Sequence, residues 1–279
     1  MMKKSFFLLT ILAVVFLSSC VDTPPPTPQS APEIPPAEVF TLSAGELTET
    51  TSDTTTALTT GVTYKHWAHA GINLLVWNTV IVLKTAIPWA AFGLALNEEA
   101  AYIGNATFEW TYQYTADANV GGDVYDIRLT GQYMNNTDDV EWIMTASKVG
   151  GFQNFEWYRG VISTDFTQAD IVLNHQPNNP EACLNIHYQI DAATDEASIR
   201  YTNINPTSNE IGSYIEHRVQ PNDEFNRAYD VLTNPNNPQT FLEIQWNEPS
   251  GEGRVRHEKR FHDTDWHCWD VNQVDVDCN

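Results

Sequence analysis

The side chains best equipped for chemistry in this 279-residue chain lie near its end. His257 and His262 bracket "HEKRFH", five residues apart. A zinc-protease helix needs its two histidines four apart, and a fifth residue turns the second imidazole away by about 140°. The stretch reads instead as a strand, RVRHEKRF, ending in a turn, so metalloprotease chemistry is rejected. A looser metal set would combine His257, His262, His267 and Asp265 around the last hairpin. Imidazole and carboxylate are suitable ligands, but the spacing is generic and strand neighbours point to opposite faces. No metal is assigned. His66 and His69 share a helix face at i, i+3 and read as a packed helix start. Arg254, Arg256, Lys259 and Arg260 are expected to neutralise acids on neighbouring strands, with an anionic-ligand site as the sharper alternative. Glu98-Glu99 and Asp138-Asp139 fall at helix ends and turns, and among 36 acidic residues no glycosidase-like pair stands out. The chain lacks G-x-S-x-G, a P-loop, G-x-G-x-x-G and C-x-x-C. No catalytic residue and no cofactor is assigned.

The cysteines are Cys20, Cys183, Cys268 and Cys278. Residues 1–20, MMKKSFFLLTILAVVFLSSC, carry Lys3 and Lys4 and then an apolar run of signal length, too short to span a bilayer. Its end, Leu17-Ser18-Ser19-Cys20, resembles the lipobox of bacterial lipoproteins. That resemblance implies removal of residues 1–19 and acylation of Cys20, with the mature protein lipid-anchored in the bacterial cell envelope; the outer membrane is the expected location, although no sorting signal after Cys20 fixes the membrane or its face. An oxidising compartment permits a disulfide among the other three thiols. Cys268–Cys278 would pin the last hairpin by about 2–3 kcal/mol; Cys183 is an alternative partner for either.

Behind Cys20, "VDTPPPTPQSAPEIPPAE" contains seven prolines and precedes the Thr-rich "TETTSDTTTALTT". Residues 20–60 therefore read as an extended tether without a core. Losing Lys3 and Lys4 with the signal takes the formal charge from −22 to −24. Such a field repels phosphate backbones, which excludes nucleic acid as a partner.

Residues 61–279 suit one domain. Its helical part is 64–102. From Ile72 to Leu83 only Asn73, Asn78 and Thr79 are polar, too long for one strand. Lys84, the asparagines and Pro88 argue against a membrane span. Pro88 is expected to open a second helix over Ala90–Leu96. A helix over 65–86 that is apolar on nearly every face is expected to be enclosed, burying Leu75, Val76, Ile81 and Val82.

From residue 106 the period becomes two. Phe108, Trp110, Tyr112 and Tyr114 alternate with polar residues, as do Tyr125, Ile127 and Leu129. Turn signals recur too closely for crossover helices. The expected fold is mainly β, an antiparallel meander of about 10–12 strands curled as a half-barrel or barrel against the helix.

"PNNPEACLNIHY" (177–188) returns as "PNNPQTFLEIQW" (235–246), each preceded by Phe-x-x-Ala-x-x-Val-Leu. Asn-Pro steps end strands. Four expected strands lie between the copies, so both turns should sit at one end of the sheet, with Leu184, Ile186, Leu242 and Ile244 on one face. The repeat reads as a duplicated unit near 166–220 and 225–278.

The architecture over 64–279 looks like the lipoprotein- and lipid-carrier half-barrels of bacterial envelopes. That resemblance implies a non-enzymatic protein holding an apolar or lipid-like small molecule, with the membrane as partner through the anchor. A glycan-binding module presenting Trp110, Trp142 and Trp246, and a hydrolase without a legible site, are the alternatives.

Overall fold

A computed structural model describes residues 30–35, 63–116, 122–135 and 137–278, with side chains at 80, 82–89 and 91 excepted. The expected signal 1–19, Cys20 and most of the expected tether lie outside the described residues.

Helix α1 (Lys65–Leu94) continues as a short 3-10 turn, Ala95–Asn97. Fourteen strands follow: β1 (Ala101–Gly104), β2 (Thr107–Thr115), β3 (Val124–Tyr133), β4 (Asp139–Lys148), β5 (Phe155–Ser163), β6 (Gln168–Gln176), β7 (Asn179–Asp191), β8 (Glu196–Asn203), β9 (Tyr214–Val219), β10 (Arg227–Leu232), β11 (Phe241–Trp246), β12 (Gly253–His257), β13 (His267–Trp269) and β14 (Asp275–Val276). A helical turn, α2 (Glu258–Phe261), follows β12. The strands form one antiparallel sheet in strict sequence order. It is open, with the short β1 and β14 as its edges; short edge strands offer little template for another chain. The expected meander is present with more strands, because β1 takes the end of the expected helical part and β13 and β14 are only three and two residues long.

Register explains the core. Tyr102, Phe108, Gly131, Trp142, Gly160, Ile171, Ile186, Tyr201, Ile215, Val231 and Leu242 are successive cross-strand partners from β1 to β11. Directly paired residues share a face, so this row lines the inner face. Glycine appears beside the bulkiest member. A Cβ on Gly131 would lie 2.9 Å from Trp142 Cζ3.

Leu184, Ile186, Leu242 and Ile244 share the inner face, and the β6–β7 and β10–β11 turns lie at one end of the sheet. The upstream likeness does not carry over. Ala169 and Leu173 face inward, whereas Ala228 and Leu232 sit on the other face beside Asp230. The gap before the second PNNP is one residue shorter, and a one-residue slip exchanges the faces of a strand. The turns also differ. Asn179 enters β7 directly, while Asn237 caps a 3-10 turn, Pro238–Thr240, by accepting from Gln239 N at 3.2 Å.

Helix α1 lies across the strands. Asp275 of β14 accepts from the backbone N–H groups of Lys65 (3.0 Å) and His66 (2.9 Å), and Phe92 meets Trp142 and Tyr158 edge-on at 5.9 and 6.1 Å. Lys65 to Phe92 spans about 40 Å of helix. The strands from β5, which carries Tyr158, to β14 cover about 43 Å at ordinary spacing. Chord and arc nearly agree, so the helix spans a shallow sheet and does not plug a barrel.

Three expectations fail here. Helix α1 runs through Pro88 without dividing, with Ile81 before the proline and Phe92 after it both buried. Leu75 and Val76 are 58 % and 53 % exposed, while Leu74 is fully buried; Val82's side chain lies outside those described. The tether is not free of the core up to residue 60, because Pro32, Ile34 and Pro35 are buried on the inner face, with Pro32 Cγ 3.0 Å from the Gly131 Cβ position.

Leu74→Ala is therefore expected to cost about 2–5 kcal/mol and Leu75→Ala no more than about 0.5 kcal/mol. Urea unfolding of the two variants checks this, and equal losses would mean that the helix is rotated from the position described.

Candidate functional site

Two places on the inner face gather polar chemistry. The first is where α1 begins. Thr63 donates to Asp275 at 2.6 Å, and Asp275 caps the helix with its carboxylate, which also suits the positive end of the helix dipole. This anchorage brings His66 and His69 onto β12 and β13. His66 Nδ1 meets Cys268 O at 2.9 Å; His69 Nε2 meets His257 Nδ1 at 2.9 Å. Phe261 stacks on His267 at 3.8 Å and presents its edge to His66 and His69. Burial, with His257 and Arg260 adding to it, lowers the His69 pKa to about 4; burial, Lys259 and Arg260 lower that of His257. Both shifts favour the uncharged rings, which share one hydrogen bond.

The sequence-derived metal set does not assemble. His257 pairs with His69, and His267 bonds Asp263 Oδ1 at 3.0 Å in place of Asp265. His262 takes a left-handed backbone as the cap of α2 and is exposed, as is Asp265. "HEKRFH" is half strand and half helical turn, which sends its two histidines apart. Among the described residues no group of three or more His, Cys, Asp or Glu side chains could hold a metal ion. No serine hydroxyl or cysteine thiol is a hydrogen-bond partner of His66 or His69 among the described residues. His66 and His69 are thus a packed helix start. They meet other histidines only because the last hairpin folds back beneath α1.

Cys268 and Cys278 are bridged, which ties β13 to the residues after β14; Cys183 is outside that bond. The basic cluster splits. Arg256 pairs with Glu243 across β11–β12, and Arg254 donates twice to Gln245 Oε1, at 2.9 and 2.7 Å. Both guanidiniums lie over Trp266. Lys259 and Arg260 sit exposed on α2. Arg256 follows the expected neutralisation, whereas Arg254 is held by an amide and two aromatic faces. Glu216, Asp230 and Glu243 are cross-strand neighbours on the outer face. Asp230 is 7 % exposed, and burial with the two neighbouring carboxylates, against Arg218, pushes its pKa up to about 6.

The second place is a cavity of ≈ 250 Å³ beneath the middle of α1. Trp77 and Ile81 of the helix form its roof, and Leu184, Tyr201 and Ile215 its floor. At the end of the sheet bearing the two PNNP turns it meets Asn203, Asn205, Ser208, Glu210 and Ser213. Asn203 donates to Ser208 Oγ at 3.1 Å and to Glu210 O at 3.2 Å, which folds the β8–β9 loop over this end. Gly212 there has φ +85°, and Pro235 of the second PNNP would stand 3.3 Å from its Cβ. The walls are apolar below and polar above, where Glu210 is the one carboxylate, and His175 of β6, Cys183 of β7 and Tyr214 of β9 complete the lining. Nothing in the sequence signalled this cavity; its residues come from four strands, a loop and the helix.

Trp110, Trp142 and Trp246 are 3 %, 1 % and 3 % exposed in the closed core, so none offers a sugar-stacking platform. No helix among the described residues is long and apolar enough to cross a membrane. Comparisons with protein-family models, curated proteins and solved structures give no match.

Proposed function

We propose that this is an envelope lipoprotein, anchored through acylated Cys20, that binds a small apolar molecule and has no catalytic role. The observation that carries the binding reading is the cavity between α1 and β6–β9. Its volume falls just below the range of about 300–1,000 Å³ typical of small-molecule sites, which favours a single short chain or ring pair. Asn203, Asn205, Ser208 and Ser213 suit a hydroxyl or ester head group. Glu210 and the strongly acidic chain disfavour an anionic one. The ligand class is therefore apolar with a neutral hydrogen-bonding head, such as a medium-chain alcohol or monoacylglycerol.

N-phenyl-1-naphthylamine, a neutral fluorescent probe, is expected to bind residues 20–279 at micromolar concentration. Decanol should displace it, and decanoate at least tenfold less well. Leu184→Trp, at a half-buried position of the cavity floor, should weaken probe binding at least tenfold while leaving the melting temperature within a few degrees. Undiminished binding in the folded variant would move the ligand elsewhere and defeat the reading.

A further inference from the structure

Helix α1 carries two apolar faces. Successive residues advance about 100° around the axis, so Ala70, Leu74, Ile81, Phe92 and Ala95 fall within one sector, and all five are buried against the sheet. Ile72, Leu75, Val76 and Leu94 fall on the opposite sector and are 63 %, 58 %, 53 % and 38 % exposed, with exposed Thr79 and Ala90 between Val76 and Leu94. A surface helix normally turns charged and polar side chains to water, and contiguous exposed apolar side chains mark a partner or a membrane surface.

The entry of the chain says which. Residues 30–35 dock on the sheet's inner face, the face that carries α1, with Pro32 buried beside Trp142 and Ile34 buried in the same core. Ten residues separate Cys20 from Ser30. Fully extended they reach no more than about 36 Å. The segment that would lead to an anchored Cys20 therefore leaves the domain from the helix side of the sheet and not from its charged outer side.

We propose that the exposed face of α1, through Ile72, Leu75, Val76 and Leu94, lies on the surface of the membrane that holds the anchor. This rests on the lipoprotein reading above. The helix rests at the boundary of head groups and acyl chains, as an interfacial helix does, with the sheet above it and the cavity roof, Trp77 and Ile81, directly behind. The formal charge of −24 after removal of the signal selects zwitterionic lipid, since anionic head groups would repel the domain.

The test replaces the natural anchor, so that its outcome does not depend on acylation. Residues 20–279 with Cys20→Ser and Cys183→Ser, bearing an N-terminal hexahistidine, are held on phosphatidylcholine vesicles through a nickel-chelating lipid. A nitrobenzoxadiazole label is placed at Leu75→Cys or, on the outer face, at Thr111→Cys. Brominated phosphatidylcholine should quench the label at 75 at least twofold and leave that at 111 unaffected. Ile72→Asn with Val76→Asn should abolish the quenching, and 30 % phosphatidylglycerol should reduce it. Equal quenching at both positions, or none at 75, overturns the proposal. So does a label at 75 that becomes shielded without vesicles as protein concentration rises, which would assign the face to a second copy. Failure of the lipoprotein reading shows separately, as a full-chain product from a bacterial envelope whose mass lacks acyl groups on Cys20.

Discussion

Trp142→Ala is expected to destabilise the protein by about 3–5 kcal/mol. Trp142 is 1 % exposed, and its indole fills the space left by Gly131 on the adjacent strand. It meets Trp110 at 5.5 Å and the end of α1, at Phe92, edge-on at 5.9 Å. Pro32 reaches the same spot. Four separate parts of the chain therefore close on one ring, and a methyl group in its place leaves a cavity that no single neighbour can fill. The variant should also expose the 30–35 segment to protease at concentrations that spare the wild type. Urea unfolding measures the loss, with Thr111→Ala as the exposed control. A cost near 1 kcal/mol would show that these elements do not converge on the indole.

Acid should destabilise the fold through His217, by about 2–3 kcal/mol between pH 7.5 and 4.5. His217 is stacked on Tyr229 at 4.6 Å, with Trp246 next in the stack, and its buried Nε2 has no hydrogen-bond partner among the described residues. Burial, with the Arg227 charge adding to it, lowers its pKa from 6.5 to about 4. Above pH 6.5 the ring is neutral folded or unfolded, and its contribution is whole. Between pH 6.5 and about 4 only the unfolded chain takes up the proton, so stability falls as pH falls. Asp230 acts oppositely. Its pKa is raised from 3.8 to about 6, so the folded state holds the extra proton in that window and gains stability as pH falls. His217→Phe keeps the stack, leaves Asp230 untouched and removes the titration. Its acid limb should be flatter than wild type by that same amount, while at pH 7.5 the variant equals or exceeds wild type. Parallel pH curves for the two proteins would rule out His217 as the titrating group.

The sequence by itself determined the fold class. Strict alternation in segments such as "TFEWTYQYT" and turn signals every 10–15 residues permit little but an antiparallel meander, since both are local properties of the backbone. The four strands expected between the two PNNP turns are present, β7 to β10, for the same reason. The tertiary structure alone decided which apolar residues are inside. Leu74 and Leu75 are the same side chain one position apart, and only the direction in which α1 meets the sheet separates a buried leucine from an exposed one. Local pattern likewise could not show that Pro32, in a proline-rich segment, would pack beside Trp142, or that a gap one residue shorter would turn Ala228 outward where Ala169 faces in. The cavity and the histidine cluster belong to this second class. Each joins the helix to strands more than 90 residues away, and such juxtapositions are set by register summed across many strands, which no single stretch of sequence contains.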